Sequence, residues 1–268
     1  MNGYVHGRAG SAAAVLAIAA GLVLAGCGGS SGSSGSLASN GSHSSPASSS
    51  TTPASSGGSS SSAATSATSA ATLPFPVGVG DTWTYKTTFG QTVNKMTAVT
   101  PVSGGQQVTM ATTSTVDGTT SRNTAYYVVH SNGEISLPFS QFDTSSSATV
   151  KLLSGGVYWP PAAQLAAGDT SHSTIRIEFT ESGVSQKVDA HIAVKGAGTQ
   201  SVTVPAGTYS ATVVNMTMSE TIEGIAVSTE IRTWLATGVG PVKTEVLLIE
   251  GGTSHVAAQD QLVSFKAG

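Results

Sequence analysis

The chain has 268 residues, only 9% of them charged, and a formal net charge of −3 from eleven basic and fourteen acidic residues. It offers no basic stripe for nucleic acid and no polybasic run for anionic lipid, so neither partner is expected. One cysteine in the whole chain rules out an intrachain disulfide.

Met1 to Gly10 carries one certain positive charge, Arg8, with His6 as a weak second. Ser11 to Leu24 is almost wholly Ala, Val, Leu, Ile and Gly. Such a run matches the apolar core of a secretory signal and is too short to cross a bilayer as a helix. It ends in Leu24-Ala25-Gly26-Cys27, which holds the only cysteine. This motif resembles the lipobox of bacterial lipoproteins, where an apolar residue and two small residues precede a cysteine. The resemblance implies cleavage between Gly26 and Cys27 and a diacylglyceryl group on the Cys27 thiol, which makes Cys27 the mature N-terminus. Two or three acyl chains anchor stably where one would hold only marginally. The expected place is therefore the outer face of the cell membrane. Residues 1–26 are read as signal peptide and 27–72 as lipidated cysteine plus linker.

Gly28 to Thr72 is Ser, Gly, Ala and Thr with a few Pro, one His (His43) and no charged residue. It cannot bury enough apolar surface to offset the entropy of ordering, so disorder is expected. As a flexible coil its root-mean-square reach is about 35–40 Å.

From Leu73 onward apolar residues recur mostly at every second position, Val, Ile, Thr and aromatics are enriched, and Gly, Ser, Asn or Pro clusters interrupt at short intervals. This is the strand pattern. Asp81 to Phe89 sets Trp83, Tyr85 and Phe89 on one face. Further strands are predicted at 93–102, 107–116, 124–130, 134–139, 149–153, 174–181, 187–195, 201–204, 208–222, 225–235, 242–250 and 255–266. Pro161–Ala167 is the one short helix, with proline in its first turn. Turns are expected at Ser131-Asn132-Gly133, Val204-Pro205-Ala206-Gly207, Glu223-Gly224 and Thr237-Gly238-Val239-Gly240-Pro241. Residues 73–268 thus read as an all-β domain, a curved antiparallel sheet or half-barrel.

Gly80-Asp81-Thr82-Trp83-Thr84-Tyr85, Val204-Pro205-Ala206-Gly207-Thr208-Tyr209 and the run Trp234 to Lys243 resemble a pattern found in secreted bacterial β-proteins of unknown function. Some of those are similar in architecture to carrier lipoproteins of the LolA and LprG kind, whose curved sheet wraps an apolar cavity. The resemblance implies architecture and leaves function open.

Chemistry-bearing residues are sparse. His130, His172, His191 and His255 lie far apart, without paired spacing near carboxylates, so neither metal nor any other cofactor is indicated. His191 alternates against Val188, Ala190, Ile192 and Val194 and should face solvent. No Gly-x-Ser-x-Gly elbow is present, and catalytic residues are expected to be none. Glu178 with Glu181 and Glu220 with Glu223 lack i,i+2 spacing, and solvated charges are their default reading. Lys243 and Glu245 alternate onto one face as a weak surface pair. Met216 and Met218 share a face with Val214, where they either fill the core or line a lipid cavity.

The expected protein is a non-enzymatic, lipid-anchored envelope protein. One reading is a module that binds an apolar ligand or lipid between a curved sheet and a covering segment, Val157–Ala167. The other is a structural protein that contacts envelope protein or wall polymer and exposes Trp83, Tyr127 or Trp234.

Overall fold

The computed structural model describes residues 76–137, 142–145, 148–181, 184–222, 225–250 and 253–268. Cys27, the linker and the Glu223-Gly224 turn lie outside the described residues, as does Phe139 at the end of one predicted strand. Period-two alternation does form strands throughout. The first group is β1 (Thr82–Thr87), β2 (Gly90–Val102), β3 (Gly105–Val116), β4 (Thr119–His130) and β5 (Ile135–Leu137). The next is β6 (Phe142–Ser145), β7 (Ala148–Ser154) and β8 (Val157–Trp159), followed by the helix α1 (Ala162–Ala167). The last is β9 (Thr170–Glu181), β10 (Val184–Val204), β11 (Gly207–Ile222), β12 (Ile225–Ala236), β13 (Gly240–Glu250) and β14 (Thr253–Lys266).

These strands form one antiparallel sheet in the order β6-β7-β9-β10-β11-β12-β13-β14-β1-β2-β3-β4-β5-β8. Two meanders, β1–β5 and β9–β14, are joined where the last strand pairs with the first, Thr82 opposite Lys266 and Tyr85 opposite Leu262. β8 pairs with β5 at one end of the sheet and also packs against β9 and β10 near the other. The sheet therefore curls until its two ends approach. Gly155, between β7 and β8, lies so close to β9 that a Cβ there would run into the Thr174 carbonyl.

The sequence expectation of a curved antiparallel sheet holds, with four corrections. Residues 187–195 and 201–204 belong to one 21-residue strand, β10, interrupted by a bulge between Gly196 and Thr199. Two short strands, β6 and β8, were not expected, being too short to show a period. Phe89 does not share the face of Trp83 and Tyr85: β1 stops at Thr87, and Phe89 sits 61% exposed in the hairpin turn. Trp83, Tyr127 and Trp234 are 1%, 4% and 7% exposed, so the aromatic surface that the structural reading calls for is not supplied by them.

The β10 bulge divides the interior in two. Every buried residue of β10 has an even number, from Val188 to Val204. Before the bulge these residues stand opposite even residues of β11, Val194 beside Met216; after it they stand opposite odd ones, Val202 beside Tyr209. One extra residue has turned the apolar row to the other face. In β11 the adjacent Val213 and Val214 are both buried, and each belongs to a different cluster.

The second cluster centres on Trp83, whose indole N–H donates to the Val239 carbonyl at 2.6 Å and whose ring lies 5.3 Å from that of Phe265. Tyr85 donates to the Pro241 carbonyl, and the Ala206 N–H to that of Leu262. Three loops and strands are thus tied over the β14–β1 joint. Trp83→Ala is expected to cost about 3–5 kcal/mol in urea unfolding, as for other large buried aromatics; a loss below 1 kcal/mol would mean that the joint does not depend on it.

Candidate functional site

The first cluster is formed on one face of β9–β13, from Ile175 and Ile177 through Val188–Val194 to Val214, Met216, Met218, Ile231 and Val246. Its cover comes from the short segment that precedes β9. Val157 of β8 and Leu165 of α1 are 0% and 1% exposed within it, so the sequence-predicted covering segment does lie over this interior. Trp159 of β8 packs against both clusters.

α1 begins after Pro161, which supplies no side-chain cap, and ends at Gly168, whose N–H closes on the Leu165 carbonyl at 3.2 Å. Leu165 is the only buried side chain of this helix. Its carbonyl lies directly on Gly196, at a position that a Cβ would occupy. The cover is held by Leu165, by packing of the helix on β10 and β11 and of β8 on β9 and β10, by the Gly196 N–H donating to the Asp169 carbonyl at 3.4 Å, and by a β5–β8 ladder of three residue pairs.

Met216 and Met218 are 3% and 2% exposed, and both point into this interior. Two residues further along the same face stands Glu220, 4% exposed. This corrects the expectation of a solvated charge. The row Val214-Met216-Met218-Glu220 has a single parity, and the sheet face that buries the methionines buries the glutamate as well. The signal was legible: extending the methionine alternation by one step reaches Glu220.

Both Glu220 carboxyl oxygens are buried without a hydrogen-bond partner among the described residues, as is Oγ1 of Thr229. Thr229 stands opposite Met218, and Glu220 opposite Val227, so Thr229 and Glu220 are diagonal neighbours on one face. The indole N–H of Trp159, in the cover, is likewise buried and unpartnered. Sequence reasoning missed both Thr229 and Trp159; threonine is common in strands, and β8 is too short to read. Burial alone pushes the Glu220 carboxyl above its ordinary range and favours the neutral acid.

No described cation faces this interior. Of the ten lysines and arginines beyond residue 76, eight are exposed. The other two, Arg232 and Lys243, pair with Glu230 and Glu245 at 2.9 and 2.7 Å. The second of these pairs was expected at the surface. It is largely covered instead, with side chains 19% and 13% exposed and Lys243 Nζ 4.6 Å from the Trp234 ring centre.

The outer face of β9–β11 carries a shallow polar cleft of about 310 Å³ lined by His172, Thr174, His191 and Thr217. His191 Nδ1 lies 3.2 Å from Thr174 Oγ1, and the His191 side chain faces solvent. Among the described residues no group of three or more His, Cys, Asp or Glu is arranged to hold a metal ion, and no helix is long and apolar enough to cross a membrane.

The profile of the DUF3108-like family matches residues 84–247, more than half of the chain. No curated protein matches. The fold is similar to that of a candidate lipoprotein from Parabacteroides distasonis, at 18% identity and TM-score 0.53, over 73% of this chain and 99% of that one. It is also similar to a candidate exported protein with a YmcC-like fold from Bacteroides fragilis, at 18% identity and TM-score 0.52, with the same coverage. The hypothetical lipoprotein YmcC from Escherichia coli is more distant, at 11% identity and TM-score 0.34, over 69% and 83% of the two chains.

The buried carboxyl has a stability signature. An acid whose pKa is raised on folding binds more protons folded than unfolded, so stability falls as pH rises from the unfolded value through the raised one. Glu220→Leu is expected to stabilise the protein by about 1–3 kcal/mol at pH 7 by removing an unsatisfied buried group. The gain should shrink below the usual carboxylate range, where the wild-type acid is neutral in both states. Urea unfolding at pH 4 and pH 7 measures it; a pH-independent difference would contradict the burial of an ionisable group.

Proposed function

The chain belongs to the DUF3108-like family, and from that premise and the covered interior we propose a lipid-anchored extracytoplasmic protein that holds an apolar ligand between β9–β13 and the β8–α1 cover, with no reaction catalysed on it. The observation that carries the ligand half is the cover itself. An apolar interior is normally closed by extensive secondary structure, whereas this one is closed by a three-residue strand and a six-residue helix. Such a segment has few contacts to break and belongs to the low-stability end of a fold. Beneath it lie Met216 and Met218, whose unbranched, polarisable side chains adapt to exchangeable apolar partners. The location half rests on Gly26-Cys27 after an apolar segment, with acylation on Cys27. The similar structures described as a candidate lipoprotein and a candidate exported protein support that location.

Two measurements test the two halves separately. Metabolic labelling with a palmitate analogue should mark the wild-type chain and not Cys27→Ser; equal labelling of both would overturn the anchor. Native mass spectrometry of the full chain carrying Cys27→Ser, purified without detergent, should show an additional lipid-range mass that is lost on denaturation. A clean apo mass with no uptake of added lipid would overturn the ligand reading.

The cover has its own test. In Gly196→Ala a new methyl meets the Leu165 carbonyl, so α1 must shift. Hydrogen exchange should accelerate about tenfold or more in α1, the effect of roughly 1.4 kcal/mol, while β11 and β12 keep their protection. Unchanged exchange in α1 would mean that the helix is not held at that glycine.

A further inference from the structure

We propose that Glu220 and Thr229 together bind the polar end of the ligand, and that this end is an uncharged hydroxyl group on a long apolar chain. The inference rests on the ligand reading above and narrows its chemistry. Three observations support it. The first is placement: Glu220 lies two residues beyond Met218 on the same face, so a chain lying along Met216 and Met218 brings its end to the carboxyl about 6–7 Å further along the strand.

The second is the pair of unsatisfied groups. Both Glu220 oxygens and the Thr229 hydroxyl are buried without partners among the described residues. The backbones of diagonal neighbours on adjacent strands are about 7–8 Å apart, within reach of long side chains, yet Glu220 and Thr229 make no bond to each other; one bridging group would serve both. A neutral carboxyl donates one hydrogen bond and accepts others, and a threonine hydroxyl does both. A ligand hydroxyl, which also donates and accepts, completes the two at once. Leaving such groups unpaired in an apolar interior is costly.

The third is charge. No described lysine or arginine faces this interior, so a phosphate or carboxylate head would be buried without a counter-ion. An ammonium head would require Glu220 to ionise and both charges to lose their water. Burial of Glu220 favours its neutral form. An alcohol or glyceride meets none of these penalties.

The test uses the full chain carrying Cys27→Ser and four probes: monoolein, methyl oleate, oleate and phosphatidylglycerol. Each is titrated by displacement of a fluorescent apolar dye. The inference expects monoolein to bind about tenfold tighter than methyl oleate, roughly the effect of satisfying one buried polar group, and tighter than either anion. Glu220→Leu should erase that preference, with monoolein losing more affinity than methyl oleate; Glu220→Gln, which can still donate and accept, should retain it. Equal affinity for monoolein and methyl oleate in the wild type would overturn the head-group assignment and leave the ligand reading standing, since ordered water would then suffice at Glu220. Preference for an anionic probe would also overturn it. Failure of all four probes to displace the dye would remove both readings. The wild-type series decides even where Glu220→Leu does not fold.

Discussion

A strand sends consecutive side chains to opposite faces, and in β11 and β12 consecutive side chains are both buried. Val213 and Val214, and again Trp234 and Leu235, belong to different clusters. One sheet therefore has to be covered on both of its faces at its middle, and most of the architecture answers that demand. The β10 bulge transfers an apolar row from one face to the other within a single strand. The far half of the sheet, β1–β5, covers one face, and the β8–α1 segment covers the other. A domain with no disulfide obtains two cores from a single sheet in this way.

The two cores are finished differently. Around Trp83, buried polar groups find partners: Thr112 donates to Asn94 Oδ1 at 2.9 Å, Thr92 lies 3.1 Å from Ser114, and Asp81 accepts from the N–H groups of Gly78 and Gly268. Beneath the cover they do not, at Glu220, Thr229 and the Trp159 indole. Native interiors rarely leave such groups orphaned, and those that are left call for an explanation. These three groups lie at the cluster that the short β8–α1 segment covers.

The alternation of Trp83 and Tyr85, of Val188 to Val194 and of Val214 to Met218 was readable because each row keeps its parity over a regular strand. The Pro205-Ala206 turn and the short helix were readable from backbone chemistry alone. Three things were hidden by physics that acts at longer range. A bulge changes which face a residue occupies without changing its spacing, so the rows of β10 read as two strands rather than one. β8 gains its conformation from pairing with β5, not from its own three residues. Glu220 was assigned by the usual solvation of carboxylates; a single polar residue at the end of an apolar row carries no local sign that the sheet will be covered above it. Its position was in the pattern, and its environment was not.

The junction between β14 and β1 sets the order of assembly. One edge of β1 pairs with β2, and the other finds its partner only in β14, Thr82 opposite Lys266; this second pairing closes a loop of nearly the whole domain and is entropically slow. Until the final 14 residues of β14 are available, the β1–β5 meander carries an open edge on β1. That edge is a ready template for strand addition by another chain. Closure of the sheet must therefore follow synthesis of β14. A chain shortened before Thr253 would keep β1–β5 and β9–β13 and expose edges on β1 and β13, the arrangement from which strand exchange between two copies begins.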